Sequence, residues 1–498
     1  MKRRPPFGEL LRRHRLAAGL THEHLAERAA LSARGVSDLE RGVSRRPRRE
    51  TVELLSRALE LSATDRSVFE DAARLPAAAS SSGRARGSVP AHFTSFVGRD
   101  EETRLAVELL RDPGTRLLTL TGPGGAGKSR LAAHLVDALA PEVRESVCYV
   151  ELAPLAASAD ARGLVQAIAW ACGVAHSNGS AQLTDIVDAI HDTELFLILD
   201  NFEHLLPTAP VLLTLLRACP RLTLLVTSRA SLHLSGEQEL PVSPFAAPRV
   251  GHGLSKQRIA EYASVRLFVD RARRVRPDFS LTEDNARAVA SVCARLDGLP
   301  LALELAAARI KLLAPQLLLE RLQSSERGGA LRLLTRGARD LPPHQRTLRD
   351  TMLWSYNLLM PDEQRLFRRL AIFAGGCTLA AAEALCSPIH DAERQDEVAS
   401  PDVLDGLGSL VDNSLVAVDD GPDGAQRFVL LETVREFGLE QLRANGELEA
   451  VAREHARYYL ELVKVTGALL FASSSDQRRS AAEQHNLEAA LRWLLHHG

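Results

Sequence analysis

Apolar positions along the chain fall into distinct regimes. Over residues 7–74 they recur at three- and four-residue steps in short stretches, the period of small amphipathic helices. From about 93 to 245, short apolar runs alternate with helical patterns: Leu117-Leu-Thr-Leu-Thr121, Val147-Cys-Tyr-Val-Glu151, Leu195-Phe-Leu-Ile-Leu199 and Leu222-Thr-Leu-Leu-Val226. Continuous apolar runs set between helices predict parallel strands covered on both faces. Residues 260–330 return to the helical period, as in Val265-Arg-Leu-Phe-Val-Asp-Arg-Ala272. Residues 345–445 mix helices with one predicted hairpin, Ser414–Val418 against Phe428–Leu431, turned by Asp419-Asp-Gly-Pro-Asp-Gly424. From 446 the pattern is helical through Leu494-Leu-His-His-Gly498; a single partial unit does not establish a repeat.

Composition narrows the class. The 498 residues are 45% hydrophobic and 25% charged, an ordinary globular balance that excludes a disordered chain, a collagen or a disulfide-stapled scaffold. No apolar run has the length of a membrane span, and the basic start Met1-Lys-Arg-Arg-Pro-Pro6 leads into a charged stretch rather than the apolar core of a secretory signal. The six cysteines, at 148, 172, 219, 293, 377 and 386, form no Cys-x-x-Cys pair and read as reduced thiols. A cytoplasmic protein with no membrane partner is the expectation. The net charge of −2 hides an asymmetry: residues 1–50 hold 13 Lys+Arg against 6 Asp+Glu, leaving the rest of the chain at −9. A basic head on an acidic body points to a polyanionic partner for the head.

The sharpest chemical signal is Gly122-Pro-Gly124-Gly125-Ala126-Gly127-Lys128-Ser129, a full G-x-x-x-x-G-K-[ST] motif between an apolar strand and the helical stretch Leu131–Leu139. Glycines let successive backbone N–H groups turn inward onto phosphate oxygens. Lys128 supplies a point charge for the outer phosphates and Ser129 a hydroxyl for Mg²⁺. Only five lysines occur in this arginine-rich chain, and one stands where a planar fork would serve poorly. A second signal is the buried strand ending in Asp200-Asn201-Phe-Glu203, 72 residues beyond Lys128. An aspartate there could cap a helix; beside the loop it reads as the carboxylate that holds Mg²⁺. Asn201 fills the place next to it that a second acid often takes, which leaves Glu203 as the nearest candidate base. A third strand delivers Thr227-Ser228-Arg229 to the same edge, where Arg229 can sense a terminal phosphate.

The ordered set Phe96-Val97-Gly98-Arg99, the loop at 122–129, Leu199-Asp200-Asn201, Thr227-Ser-Arg229 and Gly298-Leu-Pro300-Leu-Ala302 resembles the NB-ARC class of STAND nucleotide switches, in particular bacterial regulators with an N-terminal helix-turn-helix. The resemblance covers about 93–440. It implies ATP or ADP with Mg²⁺ as ligand. It places Val97, Arg99, Gly122, Gly124, Gly125, Ala126, Gly127, Lys128, Ser129, Arg130, Arg229 and Pro300 around the nucleotide, with Val97 and Arg99 beside the adenine and Pro300 capping it. It also implies a winged-helix domain over 345–440 that closes on ADP. Where that domain usually carries a histidine toward the β-phosphate, the matching stretch here has Leu431, with Arg435 as the neighbouring cation.

The head, from Leu20 to Gly42, resembles the Xre/Cro-type helix-turn-helix. Thr21 and Ser32 are placed to cap successive helices, Leu25, Ala26, Val36 and Leu39 to pack the angle, and Gly42 to end the second helix. In that geometry Ala33, Arg34 and Ser37 face base edges, Thr21, His22 and the cluster Arg45–Arg49 meet phosphates of double-stranded DNA, and Ser32 and Arg41 complete the DNA-binding set. A small bundle used for protein contacts remains the alternative.

The expected architecture is therefore multidomain: an all-α helix-turn-helix head (1–75), a linker (76–92), an α/β P-loop domain with a parallel sheet (93–245), a helical domain (246–335), a winged-helix domain (336–445) and a C-terminal helical region (446–498). The expected function is a transcriptional regulator, closed with ADP, open and self-associating with ATP, and at most a slow ATPase that resets itself. Its signal, a ligand or protein of unknown identity, would act from the C-terminal side. A P-loop ATPase that drives remodelling and a defence or scaffold protein stand as alternatives.

Overall fold

The structure, a computed structural model, describes residues 7–18, 20–29, 31, 49–59, 61, 69, 89–90, 94–139, 146–155, 160–174, 181–248, 254–324, 329–334, 347–386, 402–421, 424–467 and 482–497. The chain divides into two compact units, Met1–Ala85 and Arg86–Gly498.

In the first unit the helices Phe7–Ala17, His22–Arg28 and Arg49–Ala58 enclose Leu11, Leu25, Leu55 and Phe69, all fully buried. Thr21 caps the second helix, its hydroxyl accepting the His24 N–H at 3.2 Å. Small Ala26 and Ala29 are buried between the helices, as close approach requires. Ser32, Ala33, Arg34, Ser37 and Arg41 lie outside the described residues, as do Val36, Leu39 and Gly42 and the side chain of His22.

The second unit is built on a parallel sheet of β1 (Leu117–Thr121), β2 (Val147–Glu151), β3 (Leu195–Asp200), β4 (Leu222–Thr227) and β5 (Glu237–Pro241), in the spatial order β2-β3-β4-β1-β5. The apolar runs form these strands because each feeds two cores at once. Phe196, Ile198 and Leu225 enter one apolar layer; Leu197, Leu199, Leu224 and Val226 enter the other, across the sheet. The fifth strand does not follow that pattern. Glu237, Gln238 and Glu239 are polar and only Leu240 is buried, because β5 is an edge strand. Inserting β4 between β1 and β3 sets the register Leu199↔Val226, which places the ends of the two strands, Asp200 and Thr227, side by side.

Beyond the sheet come the helices Lys256–Glu261, Ala263–Val275, Glu283–Arg295, Pro300–Ala307 and Pro315–Gln323. They are followed by Leu348–Asn357, Pro361–Leu370, Leu379–Cys386, Val403–Asp412 and Glu432–Ala444, with a two-stranded hairpin of β6 (Ala417–Asp420) and β7 (Gln426–Val429). The hairpin is shifted from the sequence expectation. Ser414 takes a left-handed φ of 54° that breaks extension, and the Gly421 N–H closes the turn onto the Ala425 carbonyl at 2.8 Å. Half-buried Asp297 joins the two helical groups. Its carboxylate accepts the N–H groups of Glu432 and Thr433 at 3.0 and 2.9 Å and so caps the last helix of the second group.

The C-terminal helices Leu448–Gly467 and Gln484–His497 are fastened to the hairpin by buried polar groups. Glu483 accepts from Arg427 of β7 at 2.5 Å, from Tyr459 at 2.9 Å and from Asn486 at 2.8 Å; Asn486 also donates to the Gly376 carbonyl. His455 packs into this cluster, its Nε2 3.5 Å from the Asn486 Oδ1. Burial holds the His455 imidazole down to about 4, against the raising effects of Asn486 and Glu483. The unfolded chain therefore takes up this proton first as pH falls, and stability present above about 6.5 is lost as the pH drops toward 4, by about 2–3 kcal/mol at that site. Melting curves of the wild type and His455→Gln across this range should converge in acid; curves that stay parallel would refute this.

Candidate functional site

The loop between β1 and the helix Lys128–Ala138 takes the curl that its glycines allow. Gly122, Gly125 and Gly127 have φ of 143°, 82° and 96°, and a Cβ on Gly122 would fall 2.4 Å from the Val242 carbonyl oxygen. Lys128 is buried at the first position of the helix, and its Nζ donates to the Gly122 and Pro123 carbonyls at 2.6 and 3.1 Å. Burial pulls the Lys128 ammonium down to about 8, with Glu203 and Asp200 opposing.

Asp200 stands at the end of β3 below the loop. Its carboxylate accepts the Thr227 hydroxyl at 2.5 Å, and the nearby hydroxyls of Ser129 and Tyr149 favour its charged form. Burial pushes the carboxyl above its usual range against these three hydroxyls. A carboxylate with a hydroxyl beside it forms the oxygen pair that Mg²⁺ accepts, so Ser129 and Asp200 fit the ion, and the curled loop with its buried ammonium fits a nucleotide polyphosphate. Asn201 follows with a φ of 69°, and its buried Nδ2 makes no hydrogen bond among the described residues.

Arg229 lies just past the end of β4, 5% exposed. Its Nε donates to Glu203 Oε1 at 2.9 Å, and its Nη1 donates to the Thr351 carbonyl at 3.2 Å. Its guanidinium carbon lies 5.0 Å from the Trp354 ring centroid. Burial pulls the guanidinium below its usual range, and Glu203 opposes this. The Arg229 carbonyl in turn accepts the Ser414 hydroxyl at 2.6 Å. A Cβ on Gly124 would lie 2.6 Å from Thr351 Cγ2, so the helix Leu348–Asn357 rests directly on the phosphate loop. Thr351, Trp354 and Ser414 carry no local sequence signal for this role. Arg435 does not reach the loop: its guanidinium binds Glu432 and the Ala371 carbonyl, and Leu431 is the residue that precedes its helix.

The remaining candidates are placed as follows. Arg99, at φ 71°, turns its guanidinium beneath the loop and donates to the Ala126 carbonyl at 3.0 Å. Val97 packs half-buried against the larger core. Arg130 donates to the Thr94 and Ser95 carbonyls, both at 2.6 Å, away from the loop interior. Pro300 opens the helix Pro300–Ala307, and it is its neighbour Leu301 that donates its N–H to the Gly125 carbonyl, at 3.2 Å.

Comparison with known proteins places the chain in a family. Residues 6–69 match the helix-turn-helix domain and residues 111–241 the AAA domain. The Mycobacterium bovis protein named "Uncharacterized protein Mb0918" is 37% identical over 368 residues, 74% of this chain and 86% of that protein. The chain belongs to that protein's family. A further family relative, "Putative HTH-type transcriptional regulator Mb0914c" of the same species, is 39% identical over 389 residues; the match covers 77% of this chain and 40% of that longer protein. Among solved structures, the STAND protein with a tetratricopeptide repeat sensor PH0952 from Pyrococcus horikoshii matches 83% of this chain and 55% of its own at 16% identity, with a TM-score of 0.29. The family architecture here is a helical helix-turn-helix head, a parallel-sheet P-loop core and a helical C-terminal region. Among the described residues no helix is long and apolar enough to cross a membrane.

Proposed function

We propose that this protein is a cytoplasmic, DNA-binding transcriptional regulator whose posture is set by ATP or ADP. The observation that carries the reading is the seating of the helix Leu348–Asn357 on the phosphate loop through Gly124 and Arg229. A ligand in that cradle lies under a neighbouring domain, so its identity is felt beyond the loop. In this reading the domain over 336–445 closes on ADP with Mg²⁺ held by Ser129 and Asp200. Exchange for ATP, prompted from the C-terminal side, draws Arg229 toward the added phosphate, releases Thr351 and Trp354, and lets the open form self-associate. Several heads then engage duplex DNA together and gain avidity. Bound Mg²⁺ would neutralise phosphate charge during hydrolysis. Glu203 is already paired with Arg229, and Asn201 next to Asp200 cannot take a proton, which supports turnover slow enough to serve as a reset.

The test begins with the purified protein, denatured and its released ligand identified by mass. Stoichiometric ADP is expected. Gel shifts with random duplex DNA at two salt concentrations should show binding that weakens steeply with salt. A ligand-free protein with no affinity for adenine nucleotides would overturn the switch. Steady turnover of many ATP per second would favour a remodelling ATPase, and the absence of any shift would favour a protein partner for the head.

A further inference from the structure

Two carbonyls in the middle of the phosphate loop are held from outside it. Arg99 Nη2 binds the Ala126 carbonyl at 3.0 Å, and the Leu301 N–H binds the Gly125 carbonyl at 3.2 Å. The two holders come from different regions, Arg99 from the start of the P-loop region and Leu301 from the helical one, yet both lean on one residue. The ring of Phe245 lies 4.4 Å from the Arg99 guanidinium carbon. The backbone of Phe245 is bound to the turn before Leu301: its N–H donates to the Gly298 carbonyl at 3.0 Å, and a Cβ on Gly298 would fall 1.8 Å from the Phe245 carbonyl oxygen. Gly298, at φ 65°, is therefore the residue type that lets these two segments touch. On the other side, a Cβ on Gly98 would meet the Phe245 ring at 3.1 Å. The contacts form a belt: Gly125 carbonyl, Leu301, Gly298, Phe245, Arg99, Ala126 carbonyl.

The belt bears on function through peptide geometry. In a trans peptide the carbonyl of one residue and the N–H of the next point in opposite directions. Fixing the Ala126 carbonyl beneath the loop therefore fixes the Gly127 N–H on the other side, toward the cradle. Arg99 has two further anchors, the Glu102 carboxylate and the Phe245 ring, and at 7% exposure its guanidinium sits where a cation over an aromatic face is worth most.

We propose that Phe245 is a positioning residue for the bound nucleotide: its ring holds Arg99 against the Ala126 carbonyl, and its backbone ties that grip to Leu301, so the loop is set before the phosphates arrive. The proposal rests on the nucleotide reading above. Affinity for Mg·ADP, measured by calorimetry on the full chain after its bound nucleotide is stripped, tests both separately. Phe245→Leu, which keeps the apolar bulk and loses the ring face, should weaken ADP about tenfold, and Phe245→Tyr should bind within about twofold of wild type. Arg99→Met should lose affinity as well, and combining it with Phe245→Leu should add little, because both act through one contact. Should Phe245→Leu fail to fold, Phe245→Met takes its place in the same cycle. Wild-type affinity in Phe245→Leu, equal losses in the leucine and tyrosine variants, or fully additive losses in the double variant would each overturn the positioning role while leaving the nucleotide reading intact. A wild-type protein that binds no ADP would remove both.

Discussion

Lys128→Ala is expected to abolish measurable nucleotide binding, weakening ADP by at least about a hundredfold. The Nζ of Lys128 is buried under the loop, 2.6 and 3.1 Å from the carbonyls of Gly122 and Pro123. It therefore does two things: it bridges two loop carbonyls and presents a positive charge to incoming phosphates. Each charge-assisted hydrogen bond from the ammonium to phosphate that is removed costs about 1.5–3 kcal/mol, so the loss of two such bonds accounts for two or more decades in affinity. Lys128→Arg is not expected to rescue binding, since a planar fork cannot replace a compact ammonium in a buried pocket of this shape. Equilibrium binding of a fluorescent ADP gives the readout, with a melting curve to confirm folding. Binding within tenfold of wild type in Lys128→Ala would show that the phosphates are held elsewhere.

The loop was legible because its chemistry is local: eight consecutive residues define a backbone curl, a cation and a hydroxyl, and the apolar strand before it fixes the context. The four buried strands were legible for a related reason, since burial on both faces leaves few polar positions and the run itself is the signal. Strand β5 was not, because an edge strand is free to carry Glu237, Gln238 and Glu239, and its membership is decided by pairing with β1 rather than by its own residues. The lid on the loop was not legible either. Thr351 and Trp354 stand on an ordinary amphipathic helix, and their contact with Arg229 spans 122 residues of sequence in the case of Thr351. The resemblance implied a phosphate contact at the start of the helix Glu432–Ala444, where Leu431 and Arg435 stand. In this chain that helix start is capped by Asp297, and Arg435 pairs with Glu432.

Arg229→Ala is expected to release the lid and speed ADP dissociation by at least about a hundredfold. Three separate segments meet at this residue: Glu203 through its guanidinium, Thr351 and Trp354 through the same group, and Ser414 through its carbonyl. Removing the side chain strips the lid helix of two contacts and leaves the Glu203 carboxylate, 4% exposed, without its cation. Breaking one side of a buried pair costs about 3–5 kcal/mol, most of it the penalty on the charge left behind. The closed arrangement bears that cost, whereas an open arrangement lets water reach Glu203 and avoids it. The double variant Arg229→Ala with Glu203→Gln separates the two contributions. It should recover the part due to the stranded carboxylate and retain the part due to lost contact with Thr351 and Trp354, so dissociation should fall between wild type and the single variant. Trp354 offers a direct probe, since its emission should change when the guanidinium leaves its face. Rapid mixing of the ADP-loaded protein with excess unlabelled ATP, followed by tryptophan fluorescence and by release of a fluorescent ADP, reads both events. Release at the wild-type rate in Arg229→Ala would mean that the helix Leu348–Asn357 rests on the loop without restraining it, and the coupling between nucleotide and posture would have to run through another contact.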